Sequence, residues 1–210
     1  MNLKTYYIEE FADLDKYFRR NLMNCLSGYK SLNLVGTISK EGKTNLAPFS
    51  QIFHIGASPA LMGMLIRPDV VPRHTLANLE ETGYFTFNHV QADFYKQAHQ
   101  SAARYEESEF EAVGLEAEFS EKIPAPYVQK SLLRIGLKFE ERHDLAINGT
   151  VMIIGSVQEI HVMPEAVGED GFIDLEKLES VTCSGLDSYH IGQKLGRLSY
   201  PKPDKNLSII

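Results

Sequence analysis

The sequence predicts a mainly β fold with peripheral helices, a closed antiparallel barrel in place of a doubly wound sheet. Three observations carry this. Several runs of strand length, apolar or alternating, are separated by turn signals. Helical periodicity interrupts them only two or three times, without the regular strand–helix alternation of a parallel sheet. No GxGxxG follows the first strand-like run, so the opening of a dinucleotide-binding βαβ unit is missing.

Length and composition set the bounds. The 210 residues suffice for one domain with a substantial core. We divide it into a helix over residues 13–27, a barrel core over 28–163 and a C-terminal arm over 164–210. With 43% hydrophobic and 23% charged residues the chain is an ordinary globular one. Its net charge of -7 speaks against a general nucleic-acid binder, which needs a clustered basic surface. No leader-like segment is visible and no apolar run approaches the ~20 residues that cross a bilayer, so a cytoplasmic location without membrane contact is expected. Cys25 and Cys183 are far apart and lack CxxC spacing, and are expected to be reduced thiols.

In chain order, Leu14, Tyr17, Phe18, Leu22 and Leu26 recur at helical steps before Gly28, predicting an amphipathic helix that plugs one end of the core. Residues 32–38 alternate as a strand, and Lys40-Glu41-Gly42-Lys43 turns them back into Thr44 as a hairpin. Residues 51–55 continue as a strand, Gly56-Ala57-Ser58-Pro59 turns, and 61–66 return as a continuous apolar strand. A helix opens at Thr75, and residues 84–90, aromatic and β-branched, form the next strand. Residues 92–104 are helix formers, with His99 expected on the surface, and the acidic residues 106–118 read as a solvated loop. Residues 132–140 and 151–162 are strands joined across an Asn148-Gly149 turn, and His161 belongs to the second strand alone. Beyond Pro164, a loop with a short helix at Asp174 leads into a tail too apolar for a linker. That tail is read as an arm packed over the barrel or across a partner subunit.

Chemistry concentrates in residues 45–78. Asn45, Leu46, Ala47, Pro48, Phe49 and Ser50 combine amide and hydroxyl groups with a proline that keeps Ala47 extended and removes one donor. Backbone groups left facing outward suit the edge of a flat heteroaromatic ring. Phe49 taken alone is more often core than a ring contact, and the neighbouring Asn and Ser shift it toward binding. Downstream, the apolar strand delivers Arg67, and Arg73, His74 and Thr75 follow. With Thr75 as helix cap, its hydroxyl and the first free N–H groups form an anion site beside the basic side chains. The plainer reading of the same residues is a solvated basic loop. A ring site at one end and a phosphate site at the other describe flavin mononucleotide (FMN). Gly36 and Gly42-Lys43-Thr44 imitate a P-loop, but five residues separate the glycines where the motif has four, and no helix follows. No nucleophile–base pair, paired carboxylates or HExxH motif stands out, so no catalytic side chain and no metal is assigned.

Taken with Gly83-Tyr84-Phe85-Thr86-Phe87-Asn88, Glu109-Phe110-Glu111-Ala112-Val113-Gly114-Leu115, Ile154-Gly155-Ser156-Val157 and Gly185-Leu186-Asp187-Ser188-Tyr189-His190, the chain resembles the flavin reductase-like proteins, flavoredoxin among them, over roughly residues 30–200. The resemblance implies an FMN-binding split β-barrel of Greek-key type. It assigns the ring to Asn45, Leu46, Ala47, Pro48, Phe49 and Ser50 and the phosphate to Arg67, Arg73, His74 and Thr75. Asn88 is a further contact, though an end-of-strand turn explains it as well. The resemblance also implies that residues 106–118 lie near the flavin and that a homodimer completes the site. The activity implied is reduction of bound FMN by NADH or NADPH, with electrons passed to a flavin, a metal chelate or a redox partner protein. A flavoredoxin-like electron carrier that does not use nicotinamide and a non-catalytic flavin-binding module are the alternatives. Some relatives place a His after the Gly-Thr that opens the penultimate strand, whereas here Val151 follows Thr150. His190, beside Tyr189 on the arm, is a different source for such a group.

Overall fold

The computed structural model describes residues 3–68 and 74–210; Arg73, expected at the phosphate, lies outside the described residues. The chain runs α1 (Lys16–Cys25), β1 (Lys30–Ser31), β2 (Asn33–Ile38), β3 (Thr44–Phe49), β4 (Ile52–Ala57), β5 (Ala60–Ile66), α2 (His74–Thr82), β6 (Tyr84–His89), α3 (Tyr95–Gln100) and α4 (Glu109–Val113). It continues through β7 (Ala117–Glu118), β8 (Tyr127–Val128), β9 (Leu133–Leu145), β10 (Thr150–Val162), β11 (Val181–Ser184) and β12 (Ser188–Ile191).

Seven strands pair antiparallel in the order β3-β2-β6-β9-β10-β5-β4. The two edges of this sheet, β3 and β4, are consecutive in sequence and joined only by Ser50 and Gln51. Laid flat, strands ~4.8 Å apart would separate those edges by about 29 Å. The chain from Phe49 to Ile52 reaches only about 11 Å. The sheet therefore curls until its edges meet at that corner, giving a barrel that is split between β3 and β4. Gln51 is fastened there, its carbonyl accepting from the Leu65 N–H at 2.9 Å. From β5 the chain crosses through α2 to enter as β6 between β2 and β9, the long return of a Greek key.

β2 is buried on both faces. Val35 joins Met64, Phe85, Phe87, Leu137 and Ile153 inside the barrel, while Leu34 joins Leu46, Val90, Phe94, Phe110 and Val128 beneath α3 and α4. Residues 123–128 cross this second face so closely that a Cβ on Gly36 would lie 2.1 Å from the Pro126 carbonyl oxygen and 2.6 Å from Thr86 Oγ1. The Thr86 hydroxyl donates to that same carbonyl at 2.6 Å, so glycine at 36 is what admits the crossing. Further along, the Tyr127 hydroxyl donates to Glu159 at 2.7 Å, and His161 Nε2 lies 3.0 Å from the same carboxylate. Burial alone would raise the Glu159 pKa, but hydrogen bonds with Ser120, His161 and Tyr127 outweigh it and hold the group down at about 2.

Several elements differ from expectation. Asp15 caps α1, accepting from the Tyr17 and Phe18 N–H groups at 3.0 and 2.9 Å, and none of the helix's residues is buried. It therefore does not plug the core; Tyr17, Phe18 and Met23 stay exposed. The helix expected over residues 92–104 contracts to α3, and the acidic stretch contains α4, stopped by Gly114 in the left-handed region at φ 66°. There is no helix at Asp174, whose carboxylate instead accepts from the Glu176 N–H at 3.2 Å in a turn. The arm packs on the barrel through β11, which pairs with β1 and β12 in a separate three-stranded sheet. Beyond it, Leu195, Leu198, Leu207 and Ile209 are exposed.

Gly36→Ala is expected to destabilise the fold by about 3 kcal/mol, the upper end for overpacking, because a backbone carbonyl cannot swing aside. A denaturant midpoint equal to the parent's would contradict the crossing. A second expectation concerns acid. The folded pKa of Glu159 lies below its unfolded value of ~4.3, so its contribution is full above that pH and fades as pH falls toward 2. Urea unfolding of Glu159→Gln should show lower stability at neutral pH and a shallower loss through that acid window.

Candidate functional site

Strand alternation decides which groups of β3 face away from the sheet. The Leu46 N–H donates to Glu109 Oε2 at 3.0 Å, so position 46 points outward from β2, and by the period of two so does position 48. Proline is suited there, because an outward edge position requires no ladder donor. The Leu46 and Pro48 carbonyls are thus the outward backbone acceptors, and the one outward N–H is already held by a carboxylate. They border a groove of about 730 Å³ at the split corner, within the ~300–1,000 Å³ of small-molecule sites.

Of the expected residues, Asn45, Leu46, Ala47, Pro48, Phe49, Ser50, Arg67, His74 and Thr75 all line this groove. Two of them do different work from that expected. Asn45 is buried and its amide donates to Thr37 Oγ1 at 3.2 Å and Thr75 Oγ1 at 3.1 Å, tying β3 to the first turn of α2. Thr75 does not cap the helix: α2 already begins at His74, and the Thr75 hydroxyl is buried and accepts from Asn45. Arg67 is exposed at the end of β5 and takes part in no ion pair among the described residues.

Asn88 is not brought to the groove. It is fully buried, its amide donating to the Leu34 carbonyl and Thr86 Oγ1 and its Oδ1 accepting from the Val128 N–H. All its polar atoms are committed to the crossing segment, so its reading as a cofactor contact is replaced by a structural one.

The far wall was not anticipated. It consists of His99, residues 101–105, Glu109, Cys183, Gly185, Leu186 and Tyr189. His99, expected to be a simple surface residue, places Nδ1 2.5 Å from the Tyr189 hydroxyl. His190 faces the other way, its Nε2 2.9 and 3.0 Å from the Ser184 and Ser188 hydroxyls and its ring against Tyr29. The period of two in a strand was the available signal that neighbours 189 and 190 point oppositely. Lys30 is buried, and its ammonium donates to the Asn24 and Gly185 carbonyls at 3.1 and 2.6 Å, fixing the turn that carries Gly185. Cys25 and Cys183 are free thiols, and burial pushes that of Cys183 up, away from reactivity. A second cavity, of about 220 Å³, adjoins His89, which burial pushes down to about 4 and so keeps neutral.

The groove therefore offers outward carbonyls for a ring edge bearing an N–H, and, for an anionic tail, the Arg67 guanidinium, in no ion pair among the described residues, beside the first turn of α2. These acceptors and this cation fit the ring N–H and the phosphate of FMN. Fold and groove define the class, a split-barrel flavin protein. The sequence model of the flavin reductase like domain matches residues 29–176, and the chain belongs to that family of flavin oxidoreductases. A candidate flavin reductase with a split barrel domain from Shewanella frigidimarina NCIMB 400 is 46% identical, with a TM-score of 0.91 over 94% of this chain and 100% of that one. An uncharacterized protein of Halalkalibacterium halodurans is 31% identical over 76% of this chain and 80% of its own length. Nitrilotriacetate monooxygenase component B from Bacillus cereus, 22% identical with a TM-score of 0.81 over 93% of this chain and 98% of that one, shares the fold.

Asn45→Ala removes the tie from β3 to Thr75 of α2 together with the one to Thr37 of β2, and is expected to cost about 1–3 kcal/mol, as for buried hydrogen-bonded polar groups. Hydrogen exchange should show faster opening of residues 74–80 than of β9. Equal protection in parent and variant would mean that α2 is held by its packing alone.

Proposed function

We propose that this chain binds FMN in the split-corner groove and acts as an NAD(P)H-dependent reductase. In this reading it is a cytoplasmic homodimer that passes electrons to a flavin, a metal chelate or a partner protein. The observation that carries the reading is the outward edge of β3, set in one groove with the exposed Arg67 and the first turn of α2. Residues 46–50 would hold the ring on an edge that buried Asn45 fixes, and Arg67 and His74 would hold the phosphate at the turn of α2 that Thr75 anchors, with Arg73 joining them on sequence grounds. Bound FMN supplies hydride chemistry at its N5. The chain's part is to orient the ring against a fixed edge, neutralise the phosphate and limit water.

The 46% identity to the Shewanella protein, itself described as a candidate flavin reductase, supports this reading. Support for the dimer comes from α1, amphipathic yet without a buried residue, and from the exposed Leu195, Leu198, Leu207 and Ile209. These are apolar surfaces that a second copy would cover. One observation favours a flavoredoxin-like carrier that does not use nicotinamide: where some relatives place a His, Val151 sits buried in the barrel.

The absorption spectrum of the purified protein, followed anaerobically on adding NADH and then NADPH, tests the reading. Bleaching of a flavin spectrum by either names the donor. A flavin reduced only by dithionite selects the carrier, and a colourless protein that cannot be reconstituted leaves a non-catalytic module. Arg67→Ala should weaken FMN binding by about 1.5 kcal/mol or more, a charge-assisted phosphate contact. Unchanged affinity on titration would remove Arg67 from the site, and light scattering that finds a monomer at micromolar concentration would remove the dimer.

A further inference from the structure

We propose that Tyr189 is the proton-donating catalytic residue of the groove, that His99 is the positioning residue that returns its proton, and that the substrate they serve is a planar carbonyl acceptor of the quinone class. The inference rests on the flavin oxidoreductase reading and names its electron acceptor.

The geometry starts from two elements far apart in sequence. Tyr189 on β12 and His99 on α3 meet with Oη 2.5 Å from Nδ1 and rings edge-on, centroids 5.6 Å apart at 88°. His99, Tyr105 and Tyr189 line this wall, with the Tyr95 ring 5.4 Å from that of Tyr189, so the wall is aromatic and suits a flat ring. Tyr189 is half-buried and His99 exposed, so one end of the pair faces the groove and the other reaches water.

Tyr189 differs from the other hydroxyls of the groove in that its partner is a ring nitrogen able to return a proton. On the β3 wall the Leu46 N–H is held by Glu109 and Pro48 has none. The Ser101 hydroxyl donates to the Ala98 carbonyl at 2.8 Å, the Tyr105 hydroxyl is engaged with Gln100, and the Ser50 hydroxyl is set against the Cys183 thiol. The β3 edge thus supplies acceptors, and a substrate oxygen gathering negative charge finds its proton on the opposite wall.

Burial pushes the Tyr189 phenol up, so it remains protonated near neutral pH. The groups facing the pair are Tyr95 from α3, Cys183 from β11 and Asp187 from the turn before β12. Bound and reduced FMN would supply the two electrons and one hydrogen, as hydride, and be left oxidised, and conversion of the quinone to the hydroquinone then needs one proton more. The Tyr189 O–H bond breaks as a new O–H forms on the carbonyl oxygen. The phenolate then takes a proton from Nδ1 of His99, and the exposed ring regains one from water.

The test uses the full chain loaded with FMN, reduced by one equivalent of dithionite and mixed with 1,4-benzoquinone or with ferricyanide, which takes electrons without a proton. Tyr189→Phe should slow quinone reduction by about tenfold or more and abolish its solvent deuterium effect, with the loss confined to the quinone. His99→Asn, whose amide can keep the hydrogen bond, should lower kcat for the quinone at unchanged KM. Apart from turnover, the histidine NMR titration of the flavin-free chain should show the His99 midpoint moving in Tyr189→Phe while His54 and His143 stay in place.

Equal slowing with both acceptors makes Tyr189 merely structural and overturns the proposal. An unaffected quinone rate or an unmoved His99 midpoint overturns it too, and either leaves the flavin reading intact. A parent chain that takes up no FMN brings down both.

Discussion

The constraint on which this structure depends is the two-residue corner at Ser50-Gln51. It joins the first and last strands of a seven-stranded sheet, so the sheet must curl, and because β3 and β4 do not pair, the curl stays split. An exposed sheet edge is ordinarily a liability that proteins blunt. Here the edge is blunted by chemistry that also makes a site: Pro48 removes one donor, Glu109 occupies the next, and the remaining carbonyls face a groove instead of another chain. The location of the site follows from the connectivity of the barrel.

Two polar devices hold that edge in register, one on each side of β2. On the α2 side, Thr37 Oγ1 accepts from both Asn45 and Asn78, and Asn45 also reaches Thr75. On the other side, Thr86 and Asn88 bind the backbone of the crossing segment at Pro126 and Val128. Every one of these side chains is buried, so each bond also avoids the desolvation cost of an unmet polar group. Apolar packing alone would let β3 slide or twist by fractions of an ångström. A net of directional bonds does not, and a ring-binding edge requires that fixity.

The near wall of the groove was legible in the sequence because it is local. Residues 45–50, Arg67 and the start of α2 come from one span of the chain, and proline, the apolar strand and the turn residues each leave a mark readable at short range. The roles of Asn45 and Thr75 were misread for a physical reason: an amide and a hydroxyl look equally available to a ligand and to each other, and only tertiary contact shows the second use. Asn88 was misread in the same way. The pattern of α1 was read correctly as amphipathic, yet periodicity does not say what an apolar stripe meets, and nothing in its own chain buries it. The far wall left no local mark, since His99 and Tyr189 are 90 residues apart and touch because β11 pairs with β1 and the chain just before it is bonded to residues 90–92.

That difference between the walls bears on how such a protein acquires substrates. The near wall is built into the barrel: changing it disturbs the corner, the α2 tie and the edge together. The arm's share of the far wall, Cys183, Gly185, Leu186 and Tyr189, hangs on a small separate sheet, joined to the barrel side through the Lys30↔Cys183 register and the buried Lys30 ammonium that grips Gly185. Substitutions at Leu186 or Tyr189 can alter what enters the groove without reaching the barrel core, so ligand holding and acceptor choice are physically separable in this fold. A fold that keeps one ring site rigid while presenting its second wall on a replaceable arm can serve many acceptors with one flavin chemistry. The arm is therefore where the specificity of this chain is to be sought.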